Sequence, residues 1–181
     1  MKYFKKPLAL MAMAGLPLVS TMADAANQGS GRVQFTGSII DAPCSIDPTS
    51  TDQKVNLGSV AKHALKGGGT SEMQSFSIKL KQCDFSGENA KNKAQLTFTG
   101  QSATQDNKYL AINGEASGAG VYMRTTGSNG QEDIVLGKPT SAVYLSGESP
   151  ELQIQAQLKG VSDSIVSGAF DAVTNFEISY N

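Results

Sequence analysis

Apolar and polar residues alternate along most of this chain, and a period of two is the signature of a half-buried β-strand. Residues 152–159, L-Q-I-Q-A-Q-L-K, are the cleanest case. Over residues 74–82, Phe76, Ile78 and Leu80 alternate with Ser77, Lys79 and Lys81, so the first set is predicted to point inward. Residues 94–100 set Ala94, Leu96 and Phe98 against Gln95, Thr97 and Thr99. The chain closes on a longer run in which Phe170, Ala172, Thr174, Phe176, Ile178 and Tyr180 share one face. Asp171, Asn175, Glu177 and Ser179 take most of the other. Shorter strands are predicted at 55–57 (closed by Gly58), 121–124, 134–136 and 142–145.

A further alternating stretch lies near the front. Residues 29–36 read G-S-G-R-V-Q-F-T, with Gly29, Gly31, Val33 and Phe35 on one face and Arg32, Gln34 and Thr36 on the other. Ile39 continues the Val33 side before Asp41-Ala42-Pro43 ends the pattern beside Cys44. Segments so near a terminus are disordered unless something ties them down. Asp47-Pro48-Thr49-Ser50 is turn-rich, and residues 60–66 read as one or two helical turns stopped by Gly67-Gly68-Gly69. Asn113-Gly114 and Asn129-Gly130 are hairpin-type turn signals. Short alternating strands, turns rich in Gly and Asn, and almost no helix predict a single all-β sandwich domain.

Residues 1–25 change the compartment. Lys2, Lys5 and Lys6 precede an apolar stretch at 8–19 broken by Gly15 and Pro17, and Ala23-Asp24-Ala25 offers a cleavage point. This is a signal-peptide pattern with cleavage expected after Ala25, and the apolar stretch is too short for a membrane span. The exported chain is then 26–181, large enough for one domain with a real core. Losing three Lys and one Asp with the leader takes the formal charge from −1 to −3. A weakly acidic chain without a basic patch is not expected to bind nucleic acid or to enter a membrane after cleavage. Cys44 and Cys83 are the only cysteines, and export favours a disulfide between them. On the chain-entropy picture, closing that loop stabilises by about 4 kcal/mol.

Candidate chemistry is sparse. His63 is the single histidine and sits in a polar segment, so a Ser-His-Asp arrangement has no buried base. The acidic residues are scattered singly, and Glu132-Asp133 beside Asn129-Gly130 reads as a solvated turn. Gly67-Gly68-Gly69 lacks the Gly-Lys-Ser/Thr ending of a phosphate loop. No metal, cofactor or catalytic set is expected.

The two ends together carry a resemblance. Residues 33–44, V-Q-F-T-G-S-I-I-D-A-P-C, lead into the first cysteine, and the chain ends F-E-I-S-Y-N. Tyr180 is the penultimate residue, and Gly168 is fourteenth counting from the C-terminus. With the cysteine spacing, these features resemble the pilins, structural subunits of chaperone–usher (type 1-like) fimbriae of Gram-negative bacteria. The resemblance implies an incomplete immunoglobulin-like β-sandwich lacking its final strand and completed by a donor strand from another chain. It implies residues 26–36 as an N-terminal donor extension, with Gly29, Gly31, Val33 and Phe35 facing inward, and residues 37–181 as the pilin domain. Gly168, Phe170, Ala172, Thr174, Phe176, Ile178 and Tyr180 would form the acceptor groove and the chaperone-binding strand. Expected partners are other copies of the chain, related pilins, a periplasmic chaperone and an outer-membrane usher, with a surface fimbrium as the destination and adhesion as its service.

Two other readings compete. Residues 29–40 are the first strand of an ordinary closed sandwich in a secreted carbohydrate-binding or adhesin module, with Tyr109, Tyr122 and Tyr144 standing in for the missing Trp. Tip adhesins of such fibres carry an extra receptor-binding domain, for which 156 residues leave no room. A secreted hydrolase has no motif behind it.

Overall fold

The computed structural model describes residues 30–87, 90–127 and 130–181. The signal-peptide region, Gly29 and Asn129 therefore lie outside the described residues. Residues 40–181 form one compact unit, and 30–39 belong to a separate one. In order, the strands are β1 (Ser45–Ile46), β2 (Gln74–Lys81), β3 (Lys93–Thr99), β4 (Tyr109–Ala111), β5 (Asn113–Gly114) and β6 (Ala119–Gly127). They continue with β7 (Gly130–Asp133), β8 (Val143–Tyr144), β9 (Glu151–Gly160), β10 (Phe170–Asp171) and β11 (Asn175–Tyr180). Two one-turn helices, α1 (Pro48–Thr51) and α2 (Lys62–Leu65), lie between β1 and β2.

The larger sheet runs β1-β2-β9-β6-β4 with β7 added to β6, and a smaller one runs β11-β3-β8. All the ladders are antiparallel. Alternation builds the layers. Ile78 and Leu80 of β2, Val121 and Met123 of β6, and Leu152, Ile154, Ala156 and Leu158 of β9 are buried from the larger sheet. Ala94, Leu96 and Phe98 of β3 meet them from the smaller one in a single core. Each of these side chains larger than alanine contributes about 1.5–3 kcal/mol by leaving water.

The sheet edges are closed by side chains as well as strands. Ser50 Oγ accepts from the Lys79 amide at 3.0 Å, and Gln53 Nε2 donates to the Ser77 carbonyl at 3.0 Å, covering part of the β2 edge. Thr140 Oγ1 accepts from the Leu96 amide at 3.0 Å beside β3. Among the described residues, no buried side-chain polar atom lacks a partner. Asp47 caps α1 by accepting from the Thr49 amide at 2.9 Å, which turns the expected turn into a helical one. Gly67 and Gly68, at φ 62° and 77°, end the second helical stretch as predicted.

Several short predictions are corrected. Residues 55–57 join no ladder: the Asn56 carboxamide accepts from the Gly58 amide at 2.8 Å in a side-chain-closed turn, although Val55 and Leu57 are half-buried. Residues 134–136 follow β7 rather than forming a strand, with Ile134 and Leu136 plugged into the core. Asn113-Gly114 is no hairpin turn but β5, paired to β10. A side chain at position 114 would meet the Ala169 carbonyl oxygen at 2.6 Å, so glycine serves a close long-range contact there. The β6–β7 hairpin does exist, with Gly127 opposite Gly130. Glu132 and Asp133 belong to β7, not a solvated turn: the Glu132 carboxylate accepts from the Ser141 amide, and Tyr122 donates its hydroxyl to Asp133.

Burial, reinforced by that hydrogen bond to Asp133, pushes the Tyr122 phenol up to about 12 from 10.0. A folded-state value raised above the unfolded one stabilises fully below pH 10 and loses that contribution as pH climbs through 12. The wild-type chain should therefore lose Tm between pH 10 and 12 more steeply than Tyr122→Phe, as thermal melts across that range will show.

Candidate functional site

Strand β11 pairs with β3 along its whole length, from Asn175↔Thr99 to Tyr180↔Ala94, and among the described residues has no ladder partner on its other edge. Side chains alternate along 170–180 as the period of two demands. Phe170, Ala172, Thr174, Phe176, Ile178 and Tyr180 are all half-buried, while Asp171, Val173, Asn175, Glu177 and Ser179 are exposed. The half-buried apolar members pack against the core from one side. Phe176 leans on Phe98 with ring centroids 6.2 Å apart.

An open groove of about 1200 Å³ starts at the end of this edge formed by Asn175 and Phe176 and runs back along 165–174. Its floor is the core itself, including Ile78, Phe98, Leu110, Val121 and Leu158. One wall is the stretch 165–176, so Phe170, Ala172, Thr174 and Phe176 line the groove. Ile178 and Tyr180 continue the same face beyond its end. The opposite wall is the ladder-free stretch 51–60, where Val55, Leu57 and Val60 are half-buried. The groove is thus an elongated apolar slot between two stretches of chain, the 51–60 side joining no ladder among the described residues.

The C-terminal run is not one continuous strand. β10 pairs with β5, residues 172–174 break the ladder, and β11 then joins β3. The Thr174 hydroxyl bridges the break by donating to the Thr99 carbonyl at 3.0 Å. Gly168 sits at the groove's far end, where a Cβ would lie 2.5 Å from the Glu115 Cβ and 2.9 Å from the Ala116 amide nitrogen. The Ala169 carbonyl accepts from the amides of Glu115 and Ala116 at 3.0 and 3.2 Å, which fixes that approach.

The sequence profile of the family described as fimbrial protein matches residues 33–181. The chain belongs to the fimbrial protein family. It is 42% identical to the Fimbria A protein of Serratia marcescens, over 99% of each chain. Its fold resembles a chain in the structure of a chaperone–usher pilus that addresses rod uncoiling, with a TM-score of 0.71, 32% identity, and coverage of 85% of this chain and 97% of that one. It also resembles the crystal structure of the P pilus rod subunit PapA, with a TM-score of 0.66, 31% identity, and coverage of 77% and 100%. The fold is accordingly the immunoglobulin-like sandwich lacking a strand, and the protein is a structural subunit of a surface fimbria.

In this fimbrial subunit Cys44 and Cys83 are disulfide-bonded, with Cα atoms 4.2 Å apart. Residues 30–40 carry no strand, with Val33 75% and Phe35 91% exposed. The closed sandwich with 29–40 as its first strand is thus not the arrangement adopted. His63 is exposed on α2, away from any acid–base partner shown. Tyr109 and Tyr122 touch on the larger sheet, with centroids 6.3 Å apart, while Tyr144 lies on the smaller sheet under the Lys93 ammonium. The three tyrosines do not converge on one sugar-binding surface. No cluster of metal-ligating side chains occurs among the described residues, and no described helix is long and apolar enough to cross a membrane. What the sequence did not reveal was the second wall: Val55 and Leu57 are predicted as a short strand and Val60 as the start of a helical stretch, and their place along the groove appears only in the structure.

Proposed function

We propose that the groove receives residues 29–36 of a neighbouring copy, so that subunits polymerise by donor-strand exchange. The observation that carries this reading is a strand, β11, laddered on one side only among the described residues, whose first residues Asn175 and Phe176 continue the 165–174 wall of an open slot floored by the core. The incoming segment has the complementary pattern, with Gly29, Gly31, Val33 and Phe35 on one face. Burying Val33 and Phe35 supplies about 1.5–3 kcal/mol each, and main-chain hydrogen bonds along both walls add to that. On this reading residues 26–36 are the donor extension, 37–181 the receiving domain, and Gly168 with the even-numbered face of 170–180 the acceptor. An unpaired edge over an apolar floor is an aggregation hazard in a free subunit. A periplasmic chaperone therefore fills the slot with a strand of its own during transit, and an outer-membrane usher oversees the exchange. The subunit works as scaffold rather than catalyst, and adhesion is a property of the fibre.

The test compares three exported chains: the whole one, one lacking 26–36, and one lacking 26–36 but carrying residues 29–36 fused after Asn181 through a flexible linker. The fused chain is expected to be a stable monomer by light scattering, and the unfused deletion unstable or self-associating without a chaperone. A deletion chain that is already a stable monomer overturns the reading.

A further inference from the structure

The charges at the two ends of the chain are complementary in a way that polymerisation alone does not require. Arg32 is the single charged residue between positions 26 and 40. From 160 to 181 the chain has three carboxylate side chains, Asp163, Asp171 and Glu177, and no Lys or Arg. The ion pairs found among the described residues, Lys79–Glu151 and Lys81–Asp47, involve none of these.

Strand parity decides which carboxylates Arg32 can meet. Residues directly opposite one another on neighbouring strands point to the same side of the sheet. If Gly31, Val33 and Phe35 face the groove floor with Phe170, Ala172, Thr174 and Phe176, then Arg32 faces outward with Asp171, Asn175, Glu177 and Ser179. Asp171 and Glu177 share that outward face but are six residues apart, about 20 Å along a strand. A single arginine reaches one of them, not both.

Direction chooses between them. Every ladder in this sandwich is antiparallel, and an antiparallel guest puts its N-terminal end toward Tyr180. Phe35 and Val33 then fill the part of the groove lined by 165–176, and Arg32, nearer the guest's start, lies toward the wall's end at Phe176. Glu177 is the next residue. Glu177, opposite Thr97 of β3, and Asp171, opposite Asn113 of β5, are each laddered on one edge alone among the described residues, so the guest's direction is what chooses Glu177.

We propose that Arg32 of one subunit pairs with Glu177 of the subunit that receives it, and that this pair fixes the direction and register of the donated strand. The inference rests on the donor-strand reading. A slip of two residues would put Val33 in the Phe35 position and carry Phe35 beyond it, but the glycines at 29 and 31 give the start of the segment no large side chain of its own to hold it. A charge pair there adds to the discrimination that the floor supplies through Val33 and Phe35.

The test is a charge swap in the full exported chain, reading the self-assembly rate at low and high ionic strength. Arg32→Glu and Glu177→Arg, each alone, are expected to slow assembly about three- to tenfold at low salt, by replacing an opposite-charge pair with a like-charge one. The double variant restores most of the wild-type rate, and high salt shrinks every difference. Failure of the double variant to rescue overturns the pairing. So does rescue of Arg32→Glu by Asp171→Arg in place of Glu177→Arg, which would reverse the strand's direction. If wild-type assembly does not depend on residues 26–36 at all, the donor-strand reading itself has failed, and the fused-strand comparison above reports that separately.

Discussion

A Phe35→Asp chain folds but does not polymerise. Phe35 is the largest side chain on the inward face of 29–36 and is 91% exposed in the subunit, so its own domain gives up nothing when it is replaced. In the fibre the substitution forfeits about 1.5–3 kcal/mol of burial and asks a carboxylate to enter an apolar groove, costing several kcal/mol more. Together these lower the association constant by about a thousandfold or beyond, at 1.4 kcal/mol per tenfold. The measurement is the ladder of SDS-resistant oligomers from exported protein, with chaperone capture as control. Capture should persist, because the receiving groove is untouched. Loss of both would mean a folding defect and would remove the support this variant gives.

Cys44→Ser with Cys83→Ser is expected to lower unfolding stability by about 4 kcal/mol, measured by urea unfolding as a lower midpoint with a steeper slope, because the unfolded chain is released from its cross-link. The bond spans 39 residues and closes the loop that holds β1, α1, α2, β2 and the groove's second wall. Small domains have about 5–15 kcal/mol in total, so this loss is a large share of it. Reducing agent should shift the native chain by the same amount and leave the double variant unmoved. A midpoint shift well under 1 kcal/mol would mean that the wall is held by its packing rather than by the bond.

The long strands were legible because burial enforces their period. In β2, β3 and β9 one face is sealed in the core, so every second residue must be apolar and the pattern cannot drift. The short elements were not. Residues 134–136 and 55–57 are apolar because they plug the core or line the groove from loops, and burial without a ladder leaves the same trace over three residues. Asn113-Gly114 misled for a different reason: its local turn signal reports tolerance of positive φ, at 119° for Gly114, and a strand pair 56 residues away uses that tolerance. The acceptor wall was visible as an uncovered apolar face at 170–180. The break at 172–174 was not, since the alternation runs straight through it.

The disulfide also determines where a stretched fibre carries its load. Tension on residues 30–40 enters the domain at Cys44, immediately before the two-residue pairing of β1 with β2. Two ladder positions would peel under a modest pull. The sulfur bridge bypasses them, delivering the force to Cys83 at the far end of β2 and from there to β9, which pairs with β2 over 74–79. Within each link, then, one of the shortest pairings in the sandwich is spared by a covalent shunt. A pull that would otherwise unzip the subunit from its front is shared as shear across its longest strands.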